Sequence, residues 1–152
     1  MSDPNNLLLR HNLKTLRLPT MLAEYAKLSR EAADGNEDYE QYLLRLSELE
    51  VATRSANALT SRIKQAGFPA SKDMETFDFT LVPEVGKQKM LELGRCEWID
   101  QKFNVCFIGN SGTGKTHLAI ALGQSACRAG KRVRFFTAAA LVNLLEEQQK
   151  QY

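Results

Sequence analysis

Residues 106–123 read CFIGNSGTGKTHLAIALG, and this stretch decides how the rest of the chain is understood. An apolar run ends at Gly109, two more glycines follow at 112 and 114, then Lys115-Thr116, then a helical pattern. Gly109-Asn110-Ser111-Gly112-Thr113-Gly114-Lys115-Thr116 satisfies G-x-x-x-x-G-K-[ST] at every fixed position. The residue types have physical reasons. A polyphosphate must approach the main chain closely, so side chains are absent at Gly112 and Gly114, which also tolerate unusual backbone angles. The amides of about Gly112 to His117 are then expected to converge on the phosphates, and a helix starting near Lys115 adds its positive dipole end. Lys115 is expected to reach the β- and γ-phosphates, and the Thr116 hydroxyl to ligate Mg²⁺. His117, on the first helical turn, is read as a packing or surface residue and is left out of the chemistry. Ser111 and Thr113 lack a His-Asp set, so they are not read as nucleophiles.

Outward from the loop, the pattern predicts an α/β region. NVCFIG (104–109) reads as a short buried strand, and Gly130 closes the helix after the loop. RVRFF (132–136) reads as a second strand, with Thr137 capping a last helix from Ala138. Strand, helix, strand, helix in that order predicts a parallel sheet. The expected fold class is therefore α/β, an N-terminal helical bundle followed by an incomplete P-loop core of parallel strands and helices.

Three helices are predicted before that region. The first spans about Asn6 to Leu16, and the second runs to Ala33 after the break at Pro19-Thr20, ended by a positive-φ Gly35. The third carries Tyr39, Tyr42, Leu43, Leu46, Leu49, Ala56, Leu59 and Ile63 as one apolar stripe, starts at a cap formed by Asp38 with Gln41, and stops at Gly67. Residues 67–80 read as a linker ending in an extended Phe77-Asp78-Phe79, and Pro83 to Leu93 as a further helix. Three parts follow: a helical domain at 1–70, a linker with a short helix at 71–98, and a nucleotide-binding segment at 99–152.

Composition narrows the classes. Hydrophobic residues at 43% and charged residues at 25% describe an ordinary globular chain rather than a disordered one. No apolar run reaches the ~18 residues of a membrane span, and the N-terminus carries no basic leader, so a cytoplasmic location is expected. Three cysteines without a CxxC, and two histidines far apart, point to reduced thiols rather than a metal set. The net charge of +2 says nothing of nucleic acid by itself. The densest basic patch is Arg128 to Arg134, a minor candidate for DNA contact.

The segment from NVCFIGNSGTGKTHLAIALG to AGKRVRFFTAAALV, with AGFPASKDMETFDF and CEWI before it, resembles the IstB-like ATPases, helper proteins of a bacterial insertion-sequence family. The resemblance spans essentially the whole chain and implies an AAA+ ATPase with an N-terminal helical domain. It implies ATP and Mg²⁺ as cofactors, with Gly109 to Thr116 as the phosphate loop. It further implies assembly on double-stranded DNA as a homo-oligomer and assistance to a partner transposase. The family continues past this point through a Walker B strand, whereas this sequence stops at EEQQKQY. A C-terminally truncated copy with negligible ATP turnover is therefore expected. Trp98 and Ile99 are the guess for the adenine contact. A DnaC-type helicase loader shares the GKTHLA stretch and is the alternative. A non-hydrolysing remnant is a further one. A small-molecule kinase would need a lid and a substrate-binding acid after the loop, and neither is evident.

Overall fold

Leucine and tyrosine at helical spacing build the first of two units into which the chain divides, residues up to Ala58 and residues from Leu59 onward. The computed structural model describes residues 4–82 and 84–150. In the first unit, α1 (Pro4–Thr15) and α2 (Pro19–Asp34) pack with the first part of α3 (Tyr39–Ala66). Leu13, Tyr25, Leu28 and Leu46 form its buried core, with Met21, Leu22 and Tyr42 against them. The Tyr25 hydroxyl donates to Asn6 Oδ1 at 2.9 Å, and Tyr42 donates to the Tyr25 carbonyl at 3.2 Å. One buried and one half-buried aromatic ring thus keep their polar ends satisfied.

The start of α2 has no local cap. Leu18 stands at the cap position and offers no side-chain acceptor, while Pro19 opens the first turn. The missing acceptor comes from α3: Glu50 Oε2 accepts the Thr20 N–H at 2.8 Å and the Met21 N–H at 3.1 Å. Glu50 is only 5% exposed, and its other oxygen accepts Arg54 at 3.0 Å. Burial alone would raise its carboxyl, but the two backbone donors, with Arg54 beside them, hold it below the ordinary 4.5.

Several local expectations are met. The Gln41 N–H donates to Asp38 Oδ1 at 2.8 Å at the start of α3, and Gly67 follows its end with φ +68°. Others are corrected. Gly35 stays right-handed at φ −84°, and Asn36 takes the left-handed turn instead at φ +51°. The apolar stripe of α3 is covered only in part: Leu46 is buried, whereas Tyr39 is 92% exposed and Leu43 and Leu49 are exposed as well. The helix expected from Pro83 begins at Lys87; Pro83 itself lies outside the described residues.

The second unit centres on α6 (Lys115–Arg128). The helix α4 (Lys87–Gly94) and a 3₁₀ turn, Met74–Thr76, pack on it, and a second 3₁₀ turn, Phe79–Leu81, α5 (Glu97–Asp100) and α7 (Ala138–Gln149) complete the unit. Leu118, Ile120, Ala121, Leu122, Ala126 and Cys127 are buried on α6. Leu118 and Leu122 join Met90 of α4 in a core lined by Met74, Phe77, Phe79, Val105 and Phe107. Thr137 caps α7 as expected, accepting the Ala140 N–H at 3.2 Å.

The expected α/β architecture does not form. Among the described residues every regular element is helical, and neither 104–109 nor 132–136 is a strand. A strand exists only through a ladder of hydrogen bonds to a neighbouring strand, and these segments do not pair. The Phe135 N–H instead donates to the Ala66 carbonyl at the end of α3, at 2.8 Å. The sequence pattern is used differently: Val105, Phe107, Val133 and Phe135 are half-buried, while Cys106, Ile108, Arg132 and Arg134 between them are exposed. One face of each segment is packed and the other is open, with Ile108 95% exposed. No described helix is long and apolar enough to cross a membrane.

Candidate functional site

The Gly109–Thr116 loop connects the non-helical segment 104–108 to the first residue of α6. Gly112 and Gly114 stand at φ +80° and +81°, in the region where an L-residue's Cβ is strained. The second of these directly precedes the helix, so the chain turns into α6 through a left-handed residue. A Cβ at Gly112 would meet nothing within 4 Å, and the loop is open to solvent there. The Thr113 hydroxyl donates to the Asn110 carbonyl at 2.9 Å, and Lys115 Nζ donates to the same oxygen at 2.5 Å. Lys115 thus lies across its own loop, and no carboxylate pairs with it among the described residues. Asn110, Ser111 and Thr116 are exposed, and the Leu118 N–H is the first to close a helical bond, onto the Gly114 carbonyl at 3.0 Å. The amides before it have no helical acceptor, as at any helix start.

The structure adds neighbours that the sequence reading did not assign to the site. A cavity of about 200 Å³ lies beside the loop between Gly112–Gly114, His117 and the segment Thr76–Asp78. The Phe77 ring covers Gly114 so closely that a Cβ there would lie 2.5 Å from Cε2. The same ring meets His117 edge-on, with centroids 5.1 Å apart. His117 Nε2 is 3.0 Å from the Asp73 carbonyl, which can only accept, so this nitrogen carries the proton. Asp78 faces the cavity with Oδ1 accepting the Thr80 hydroxyl at 2.6 Å and the Thr80 N–H at 2.9 Å, which hold its carboxyl below the ordinary 3.8. The sequence signal was the Phe-Asp-Phe triplet, visible as a motif but silent about what it touches.

Other singled-out residues lie elsewhere. Trp98 and Ile99 line a separate cavity of about 230 Å³ with Val105, Phe107 and Leu122, and no residue of the loop borders it. The Trp98 indole donates to the Leu93 carbonyl at 2.9 Å. In the basic patch, Arg128 pairs with Asp73 at 2.6 Å and Lys131 with Asp100, while Arg132 and Arg134 are exposed. Cys96 and Cys127 are buried and Cys106 is exposed; burial pushes both buried thiols above 9.0.

The site is thus an open, glycine-built turn that delivers a lysine and a hydroxyl onto the first turn of α6. The particular family follows from comparison. The family model of IstB-like ATP binding proteins matches residues 11–152, and the chain belongs to that family. It is 38% identical over 130 residues to a Geobacillus stearothermophilus protein named as an ATP-binding protein of insertion sequence IS5376, covering 86% of this chain and 52% of the relative. A Pseudomonas aeruginosa protein named for insertion sequence IS21 is 35% identical over 133 residues, covering 88% of this chain and 50% of the relative. An insertion-sequence protein of Mycobacterium tuberculosis named in the same way is 36% identical over 127 residues, covering 84% and 51%. The chain spans about half the length of the curated relatives it matches.

Proposed function

We propose that this chain is the ATP-binding part of an insertion-sequence helper and holds Mg²⁺-ATP through Gly109 to Thr116. The observation that carries the reading is Lys115. Its ammonium rests on a neutral carbonyl above an open loop, with no carboxylate partner among the described residues. A cation so placed can turn to a polyphosphate without breaking an ion pair. In this reading Gly112 and Gly114 leave room for the phosphates, the amides around them donate, and Thr116 offers its hydroxyl to Mg²⁺. ATP supplies a triphosphate whose binding energy can order the loop; the chain's own residues bind and orient it.

The family match and the names of the relatives support the ATP assignment and the insertion-sequence setting. The finer parts extend it: assembly on double-stranded DNA, association with further copies, assistance to a transposase, and a cytoplasmic setting. Residues 1–70 would act as the partner-facing helical part, 99–152 as the nucleotide-binding part, and 71–98 as their connection. Within the Arg128–Arg134 patch, Arg132 and Arg134 are exposed cations that could meet phosphate backbones. The proposal concerns binding rather than turnover. Hydrolysis also needs an acid to hold Mg²⁺ and align water, and Asp78, the carboxylate bordering the loop's cavity, already accepts twice from Thr80.

Titration calorimetry of the chain with ATP tests the reading. Binding that requires Mg²⁺ and weakens about ten-fold or more, ~1.4 kcal/mol, in Lys115→Ala is expected. Equal affinity in wild type and Lys115→Ala would sink it.

A further inference from the structure

We infer that residues 71–77 are a positioning strap, anchored at Asp73, that holds the Gly109–Thr116 loop in the shape that receives phosphate. The inference rests on the nucleotide-binding reading above and names residues that the phosphate-loop pattern does not contain.

The strap lies along one face of α6. Asp73 gathers its donors over most of that helix. Its carbonyl accepts His117 Nε2 at 3.0 Å, and its Oδ1 accepts Arg128 at 2.6 Å. The Gln124 amide is assigned by its neighbours: with its oxygen and nitrogen exchanged, the nitrogen donates to Asp73 Oδ1 at 2.8 Å and the oxygen accepts the Lys72 N–H at 3.1 Å. Gln124 is only 3% exposed, so with the strap in place its amide depends on these partners. The Arg128 pair is half-exposed and contributes little alone. Together the three contacts fix where the strap sits, and four residues further on that placement sets Phe77.

Phe77 is the part that touches the loop. Of the loop's three glycines, Gly114 is the one where a Cβ would meet a side chain from outside the loop within 4 Å, and that side chain is Phe77. Gly114 is the left-handed hinge where the loop becomes helix. A ring packed there resists rotation of the hinge, and so resists collapse of the amides that must converge on phosphate. Binding at the loop and docking of the strap are therefore linked, and linkage is reciprocal: whatever frees the strap weakens ATP, and ATP holds the strap down.

The test uses the full chain and Mg²⁺-ATP. Asp73→Ala is expected to weaken ATP by roughly 5-fold, the lower end of coupling between sites. Asp73→Asn, which keeps an acceptor oxygen, is expected to restore most of the affinity. Phe77→Ala should match Asp73→Ala and, before ATP is added, speed amide exchange over 109–116. Lys72 is exposed within the strap, so trypsin reports its docking in the unaltered chain. Saturating ATP should slow cleavage after Lys72. Unchanged ATP affinity in Asp73→Ala together with faster exchange at 73–79 would show a freed strap and an indifferent loop, and would overturn the inference. So would cleavage after Lys72 that ATP does not slow, a measurement that stands even if a variant fails to fold. A wild-type chain that binds no ATP removes both the strap and the reading it rests on. A chain that binds ATP with no effect from the strap variants removes only the strap.

Discussion

Gly112 and Gly114 have the same left-handed backbone in different surroundings, and substitution separates the two causes of their being glycine. Gly112→Ala carries the backbone cost alone, about 1–2 kcal/mol, because the space beside it is empty. Gly114→Ala adds a clash, since its Cβ would stand 2.5 Å from Phe77. Thermal unfolding is expected to show the larger loss for Gly114→Ala; equal losses would mean that the ring moves away freely. Cysteine reactivity is a second residue-level outcome. Cys106 is exposed, whereas Cys96 and Cys127 are buried with thiols pushed up. Iodoacetamide at neutral pH is expected to label Cys106 first, read by peptide mass spectrometry. Comparable labelling of Cys127 would mean that α6 opens readily.

At the scale of elements, α2 depends on an acceptor supplied from α3. Glu50→Ala is expected to lower the melting midpoint of the first unit by at least about 4 °C, because two N–H groups at the start of α2 lose their partner. The pH dependence has a definite sign. The folded carboxyl lies below its unfolded value of 4.5, so the unfolded chain takes up the proton first as pH falls. The stabilisation is complete above that value and is lost as pH drops through the lower folded one. The gap between wild type and Glu50→Ala should therefore be wide near neutrality and close in acid. A gap that persists below the carboxylate range would mean that the charge is not what caps α2. Nothing near Leu18 in the sequence signals this cap, because the donor and acceptor residues are 30 positions apart.

For the chain as a whole, hydrogen exchange distinguishes the helical arrangement from a sheet. Amides at 118–127, on the buried helix, are expected to exchange slowly. Those at 104–108 and 132–136 are expected to exchange fast, save Phe135, whose N–H is held by Ala66. Protection of alternate residues across both segments would reveal a ladder that this structure lacks. The parallel sheet was the reasonable expectation from NVCFIG and RVRFF, and its failure has a physical cause. Apolar alternation specifies a face to bury, and packing on α6 and its neighbours buries that face without a second strand.

The sequence by itself determined what is closed within a few residues. The Asp38 cap, the end of α3 at Gly67, the Thr137 cap and the glycine loop running into a helix at Lys115 are of this kind. Their donors and acceptors lie within one turn of each other, so residue type and spacing suffice. Only the tertiary structure decided what joins distant positions. Glu50 caps α2, Asp73 reaches His117 and Arg128 across 44 and 55 residues, and the two apolar segments pack on helices instead of pairing. Local pattern carries no record of such partners, because they are chosen by which surfaces meet once the helices have packed.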